Sequence, residues 1–255
     1  MAAVETVAGK IGFEGAAGAR AIVFLHGVGS DKSVWRPQLA HFGPGAVAFD
    51  YPGYGESDFQ PNATRDDFAA AILSAMDALG IGSAHICGLS LGGVVAVAMH
   101  ALAPERCSSL ILADTFAVHP DGRAIYERSV AASEDLRALA EARVDSLLAP
   151  GTLADVRTEV VETMARIDPA AYRVGAEAVW LADQQDRAAA IDVPALVICG
   201  AEDRITPPAL SEQLAAMIPG SRLEIIPGAG HIANFERPAE FDRIVEDFVA
   251  QMENG

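Results

Sequence analysis

The chain has 255 residues, 51% hydrophobic and 21% charged, a composition that excludes a disordered polymer and fits one large α/β domain or two small ones. Its formal charge of −17 repels phosphate backbones and argues against nucleic acid as a partner, and an anionic substrate would need a local basic group against that field. No apolar run reaches the roughly 18 residues of a membrane helix, the first twenty residues do not read as a secretory signal, and Cys87, Cys107 and Cys199 form no C-x-x-C, so a disulfide-free cytoplasmic protein is expected.

In chain order, "AIVFL" (21–25) is the first predicted strand, followed by the loop His26-Gly27-Val28-Gly29. "AVAF" (46–49) is the second. The "DYPGYGESD" after it (50–58) is Gly-rich but lacks G-x-G-x-x-G and opens no helix, so it reads as a turn and not a nucleotide site. "TRDDFAAAILSAMDAL" (64–79) predicts a helix with Phe68, Ile72, Met76 and Leu79 on one face and a capping box from Thr64 and Asp67. The strand "AHIC" (84–87) is followed by "GLSLGG" and the helical run "LGGVVAVAMHAL", which stops before Pro104. "LILA" (110–113) is a fourth strand.

From 119 to 187 no strand is predicted. "GRAIYERSVAASEDLRALAEARVDSLL" and "LADVRTEVVETMARI" read as amphipathic helices punctuated by Pro120, Pro150-Gly151 and Pro169. "ALVIC" (195–199) and "RLEII" (222–226) are the last strands. "TPPALSEQLAAMI" predicts a helix with Thr206 as N-cap and Pro207 at its first position. "RPAEFDRIVEDFVAQM" places Phe241, Ile244, Val245 and Phe248 on one helical stripe. Continuous apolar strands alternating with helices predict an α/β fold with a doubly wound, mostly parallel sheet. Residues 1–118 and 188–255 form its expected core, and 119–187 a helical cap inserted in it.

Chemistry concentrates at G-L-S-L-G. Ser90 lies between a strand and a helix, the setting of a nucleophile elbow at the carboxyl end of a sheet strand. A serine hydroxyl needs a base, and the base needs an acid to fix its tautomer. The one late histidine is His231 in "GAGHIANFERP"; His26, His41, His85, His100 and His119 all come earlier. Glu202 and Asp203 follow the preceding strand, and Asp114, which ends "LILAD", competes with them for the role of acid. The oxyanion hole would use the N–H groups of Val28 and Leu91, with His26 bracing the first loop. Trp35, Tyr126 and Trp180 are candidate pocket residues, with core packing the alternative for each. No G-x-x-x-x-G-K-[ST] and no H-E-x-x-H occurs, so neither metal nor nucleotide cofactor is expected.

"FLHGVG", "FDYPGYGESD", "CGLSLGG", "GAEDRITPP" and "GAGHIANFERP" stand in the order and spacing of the α/β-hydrolase superfamily, which the chain resembles over nearly its whole length. Within it, "HGVGSDKSVWRPQL", "DALGIGSAHICGLSLGG", "APERCSSLILADTF" and "DRAAAIDVPALVICGAEDRITPP" are most similar to the 3-oxoadipate enol-lactonase group. The resemblance implies a Ser90, Asp203, His231 triad under a helical cap. It is thinnest over 119–187: where that group carries an arginine near "AEAVWLAD", this chain has Trp180, leaving Arg123, Arg128 and Arg173 as sources of positive charge.

The expected activity is cofactor-free hydrolysis of a small-molecule carboxylic ester or lactone through an acyl-enzyme, an enol-lactone such as 3-oxoadipate enol-lactone among the candidates. Carbon–carbon bond hydrolysis or perhydrolysis on the same triad, and ligand reception on a hydrolase scaffold, are the alternatives. A homo-oligomer is compatible with the sequence.

Overall fold

The computed structural model describes residues 2–18 and 21–253. The strands are β1 (Ala2–Thr6), β2 (Gly9–Gly15), β3 (Ile22–Leu25), β4 (Ala46–Phe49), β5 (Ala84–Leu89), β6 (Cys107–Ala113), β7 (Ala195–Gly200) and β8 (Arg222–Ile226). They form a single sheet in the order β1-β2-β4-β3-β5-β6-β7-β8, antiparallel at the β1-β2 and β2-β4 steps and parallel from β4 onward. The core helices are α1 (Arg36–Phe42), α2 (Arg65–Ala78), α3 (Leu91–Leu102), α8 (Gln185–Ala189), α9 (Pro208–Met217), α10 (Ala233–Glu236) and α11 (Pro238–Glu253). Between β6 and β7 run α4 (Gly122–Ala131), α5 (Leu136–Leu147), α6 (Ala154–Ala165) and α7 (Pro169–Trp180). A lone antiparallel bridge from Val118 to Asp183 brings the two ends of this excursion together.

Successive strand residues bury opposite faces. In β3, Val23 and Leu25 join an apolar cluster with Phe68 and Ile72 of α2 and Val94 of α3. Ile22 and Phe24 join the other, with Trp35, Phe241, Ile244, Val245 and Phe248. Both faces are therefore covered, which is why these strands read as continuous apolar runs. Strand order reverses beside β3, which pairs with β4 on one side and β5 on the other. A crevice opens at the carboxyl ends of strands at such a switch point.

The six predicted strands are all present, and the Thr64–Asp67 capping box forms with both reciprocal bonds. The β1-β2 hairpin was not predicted: it is an edge element, with β1 exposed or half-buried throughout, so it lacks the apolar run that marks the central strands. Thr206 does not cap α9; that helix starts at Pro208 with Pro207 at the cap position, and the Thr206 side chain is engaged elsewhere. Among the described residues, no helix is long and apolar enough to cross a membrane.

Candidate active site

Ser90 links β5 directly to α3 with φ 54° and ψ −111°, a conformation that a non-glycine residue adopts at a cost of about 1–3 kcal/mol. The packing around this turn leaves no room for side chains at its glycines. A Cβ on Gly88 would lie 2.1 Å from the Gly92 carbonyl oxygen, and one on Gly92 would lie 2.1 Å from that of Leu25. Ser90 N–H donates to the Ala113 carbonyl at 2.9 Å, and the Thr115 hydroxyl donates to the Ser90 carbonyl at 2.8 Å. The glycines of G-L-S-L-G thus let strand and helix close on a turn that holds its serine at the switch point.

His231 and Asp203 reach Ser90 from the loops after β8 and β7. His231 Nε2 lies 3.1 Å from Ser90 Oγ, and His231 Nδ1 lies 2.8 Å from Asp203 Oδ2. Facing a carboxylate, Nδ1 carries the proton and leaves Nε2 to accept from the serine. Asp203 Oδ1 accepts the N–H groups of Ile205 (2.7 Å) and Thr206 (2.9 Å), and Oδ2 also accepts the Thr206 hydroxyl at 2.7 Å. Burial opposes the charge on Asp203, but His231 and these donors outweigh it and hold the carboxyl below its usual pKa.

Asp114, the competing acid, accepts the N–H groups of Gly200 (2.8 Å) and Ala233 (3.3 Å) instead. Complete burial, reinforced by nearby Asp203, pushes its pKa well above the carboxylate range. Asp114, Cys199 and Asp203 bring three potential metal-ligand atoms within 4.8 Å of one another. Burial raises the Cys199 thiol as well, so a cation there would have to displace two protons that the interior favours.

The His26–Gly29 loop leaves β3 beside β5 and passes against the nucleophile, since a Cβ on Gly27 would sit 3.5 Å from Ser90 Cβ. The "DYPGYGESD" turn fixes it. Tyr51 Oη donates to the His26 carbonyl and Tyr54 Oη to the Val28 carbonyl, both at 3.2 Å. The His26 ring packs between the two tyrosines, with centroid distances of 4.5 and 5.0 Å. Burial lowers its pKa to about 4, so it is neutral and its Nδ1–H donates to the Gly27 carbonyl at 2.8 Å. The loop continues into Lys32, whose ammonium pairs with buried Asp50 and with Glu56. Val28 and Leu91 are buried beside Ser90, and among the described residues neither backbone N–H donates to a protein carbonyl. Two such donors beside a buried serine can receive a negatively charged oxygen.

Ser90 and His231 line a small cavity of about 50 Å³ whose apolar wall includes Val28, Val34, Leu147, Val160, Met164 and Trp180. Trp180 is stacked on Phe116 at 5.9 Å and meets His119 edge-on at 5.6 Å. The other two aromatic candidates are elsewhere. Trp35 packs on Phe24 (4.8 Å) and Phe241 (5.9 Å) in the core beneath the sheet, while its neighbour Val34 reaches the cavity. Tyr126 faces a separate surface groove with Phe59 and Arg173. Arg173 itself pairs with Glu134.

Three groups escaped the sequence reading. Thr206 completes the carboxylate cage, and its T-P-P setting imitated a helix cap. Arg143, from α5, lines the Ser90 cavity together with Tyr172. Glu236 ties the His231 loop to the excursion between β6 and β7. Its Oε1 accepts Gly230 N–H (2.9 Å) and Ile232 N–H (3.4 Å), and its Oε2 accepts Ala149 N–H (2.7 Å) and the Thr152 hydroxyl (2.6 Å). His231 N–H adds a bond to the Leu147 carbonyl at the end of α5, at 2.7 Å. Only the offset of five residues from His231 in "HIANFE" could have pointed to Glu236.

The alpha/beta hydrolase fold family matches residues 20–238. The chain is 29% identical over 250 residues to 3-oxoadipate enol-lactonase 1 of Acinetobacter baylyi, a match covering 96% of this chain and 94% of that protein. It is 30% identical over 254 residues to the 2-hydroxy-6-oxononadienedioate/2-hydroxy-6-oxononatrienedioate hydrolase of Burkholderia vietnamiensis, covering 91% and 88%. Among solved structures, the enol-lactonase from Burkholderia xenovorans LB400 superposes with a TM-score of 0.87 at 28% identity, covering 98% of this chain and all of that one.

Proposed function

We infer that this chain, which belongs to the alpha/beta hydrolase fold family, is a serine hydrolase that cleaves carboxylic esters or lactones through an acyl-enzyme. The observation that carries the reading is the continuous relay from Asp203 through His231 to Ser90, at 2.8 and 3.1 Å. His231 Nε2 takes the Ser90 proton as Oγ attacks the carbonyl carbon. The resulting oxyanion is held by the N–H groups of Val28 and Leu91, and Asp203 stabilises the imidazolium.

Collapse of the tetrahedral intermediate breaks the C–O bond, and His231 returns its proton to the leaving alkoxide. In a lactone that alkoxide stays tethered to the acyl chain. A water deprotonated by His231 then adds to the acyl-enzyme, and Ser90 leaves with the proton. Helices α4–α7 act as a cap that shapes the acyl pocket and keeps it dry. The enol-lactonase relatives make an enol-lactone the first substrate to try. The carbon–carbon hydrolase relative supports a second reading, in which the same serine attacks a ketone carbonyl and a carbanion departs.

Ser90→Ala tests the assignment with short 4-nitrophenyl esters. Turnover is expected to fall by about a thousandfold or more, with circular dichroism unchanged. Full turnover by a folded Ser90→Ala protein would refute it.

A further inference from the structure

Gly175 lies buried in the interior of α7. Glycine is a poor helix former, and its use there is to let another group come close. A Cβ on Gly175 would lie 2.1 Å from Tyr54 Oη and 3.2 Å from Val28 Cγ2. Val28 is the residue whose N–H is to receive the oxyanion, and Tyr54 is the residue whose hydroxyl donates to the Val28 carbonyl at 3.2 Å. A single helix position therefore meets both the oxyanion loop and its brace.

Ala171 precedes Gly175 by one helical turn and shares its face of α7. A Cβ on Gly53 would lie 2.8 Å from the Ala171 Cβ, so this face meets the "DYPGYGESD" turn at Gly53 as well as at Tyr54. Gly53 and Gly55 bracket Tyr54 at positive φ, 87° and 50°. Tyr54 is 1% exposed, and its ring packs on His26 at 5.0 Å and edge-on to Tyr51 at 6.1 Å. A buried ring held by two others cannot swing aside without giving up those contacts, so the place of its hydroxyl depends on the missing Cβ at Gly175. The same helix sends Tyr172 and Trp180 to the Ser90 cavity.

We propose that Tyr54 and Gly175 are positioning residues for the oxyanion hole: α7 seats the Tyr54 hydroxyl, and that hydroxyl holds the oxyanion loop so that Val28 N–H meets the carbonyl under attack at Ser90. The proposal rests on the acyl-enzyme reading and gives α7 a part in it beyond walling the pocket. Neither residue touches the reacting atoms. Their effect falls on the transition state, where charge develops on the oxygen, and not on ground-state binding.

The test measures kcat and KM for 4-nitrophenyl acetate together with the Ki of a small trifluoromethyl ketone, trifluorobutanone, whose hemiketal with Ser90 bears the oxyanion. Tyr54→Phe keeps the ring and removes the bond to the Val28 carbonyl. It should lower kcat about tenfold and raise Ki by a similar factor, with KM held within about twofold. A plain loss of stability would lower the folded fraction, and so the apparent kcat, at unchanged Ki. Gly175→Ala should lower kcat further, because its Cβ overlaps Oη and crowds Val28. Adding Tyr54→Phe removes the overlapped oxygen, so the double variant should return to about the Tyr54→Phe level. Where Gly175→Ala alone does not fold, Tyr54→Phe decides by itself. Unchanged kcat and Ki in Tyr54→Phe, or two losses that simply multiply in the double variant, overturn the proposal and leave the hydrolase reading standing. Wild-type enzyme that cleaves no ester overturns both.

Discussion

Ser90 stands at a positive φ in a turn whose flanking glycines permit close packing, and its hydroxyl faces His231. The two buried acids near it have opposite characters. Asp203 is caged by donors that, with His231, hold its pKa below the usual range; Asp114 is fully buried and accepts the N–H groups of Gly200 and Ala233, and burial raises its pKa well above that range. Asp203→Asn should therefore lower kcat by about 10³–10⁴, because the amide no longer fixes the Nδ1–H tautomer, whereas Asp114→Asn should cost less than about tenfold.

Their pH signatures also differ in sign. Unfolding lets Asp114 release a proton that the native state holds, so its contribution to stability falls as pH rises above the ordinary carboxylate range. Asp203 contributes stability above that range and loses it as pH falls through its depressed native value. Urea titrations of Asp114→Asn from pH 4 to 7 should show a flatter loss of stability than wild type. At this scale motif and order single out Ser90 and His231, and the fold brings them within 3.1 Å. The choice between Asp203 and Asp114 came from resemblance alone, because burial and hydrogen bonding distinguish them and a one-letter code does not.

At the scale of elements, the site is three loops whose positions depend on partners far away in sequence. The oxyanion loop leans on Tyr51 and Tyr54, and the His231 loop leans on α5 and Glu236. Glu236 joins two N–H groups of the His231 loop to two donors at Ala149 and Thr152, so one carboxylate ties the His231 loop to the segment after α5. Glu236→Ala should cost about 1–3 kcal/mol in stability, read by denaturant melts, and should lower kcat more than it raises KM. Glu236→Gln, which keeps the shape, should recover part of both.

Strands and long helices were legible because central parallel strands are apolar throughout and α2 and α11 carry clear stripes. The β1-β2 hairpin and short α1 were not, since an edge pair with half-exposed residues and a seven-residue helix leave weak periodicity. Thr206 shows the limit in miniature: a hydroxyl before Pro-Pro is a cap by local rules and a carboxylate donor in the folded chain.

At the scale of the whole molecule, a reversal of strand order beside β3 brings the Ser90 turn and the His26–Gly29 loop to one crevice, walled in part by α5, α6 and α7. The core motifs identify that crevice from sequence because glycine, serine and histidine at fixed offsets are needed for the turn and the relay. The acyl pocket is less legible. Its walls include residues of α5, α6 and α7 whose inward faces depend on packing: Trp180 and Arg143 line the cavity, whereas Trp35 and Tyr126 do not.

The proposed hydrolysis depends on one covalent bond formed at Ser90. The most direct measurement is tandem mass spectrometry of the protein treated with a fluorophosphonate or quenched during turnover of a 4-nitrophenyl ester. One adduct per chain on Ser90, absent from Ser90→Ala, is the expected result. An adduct on another residue, or an unmodified Ser90 in protein that still turns over ester, would contradict it.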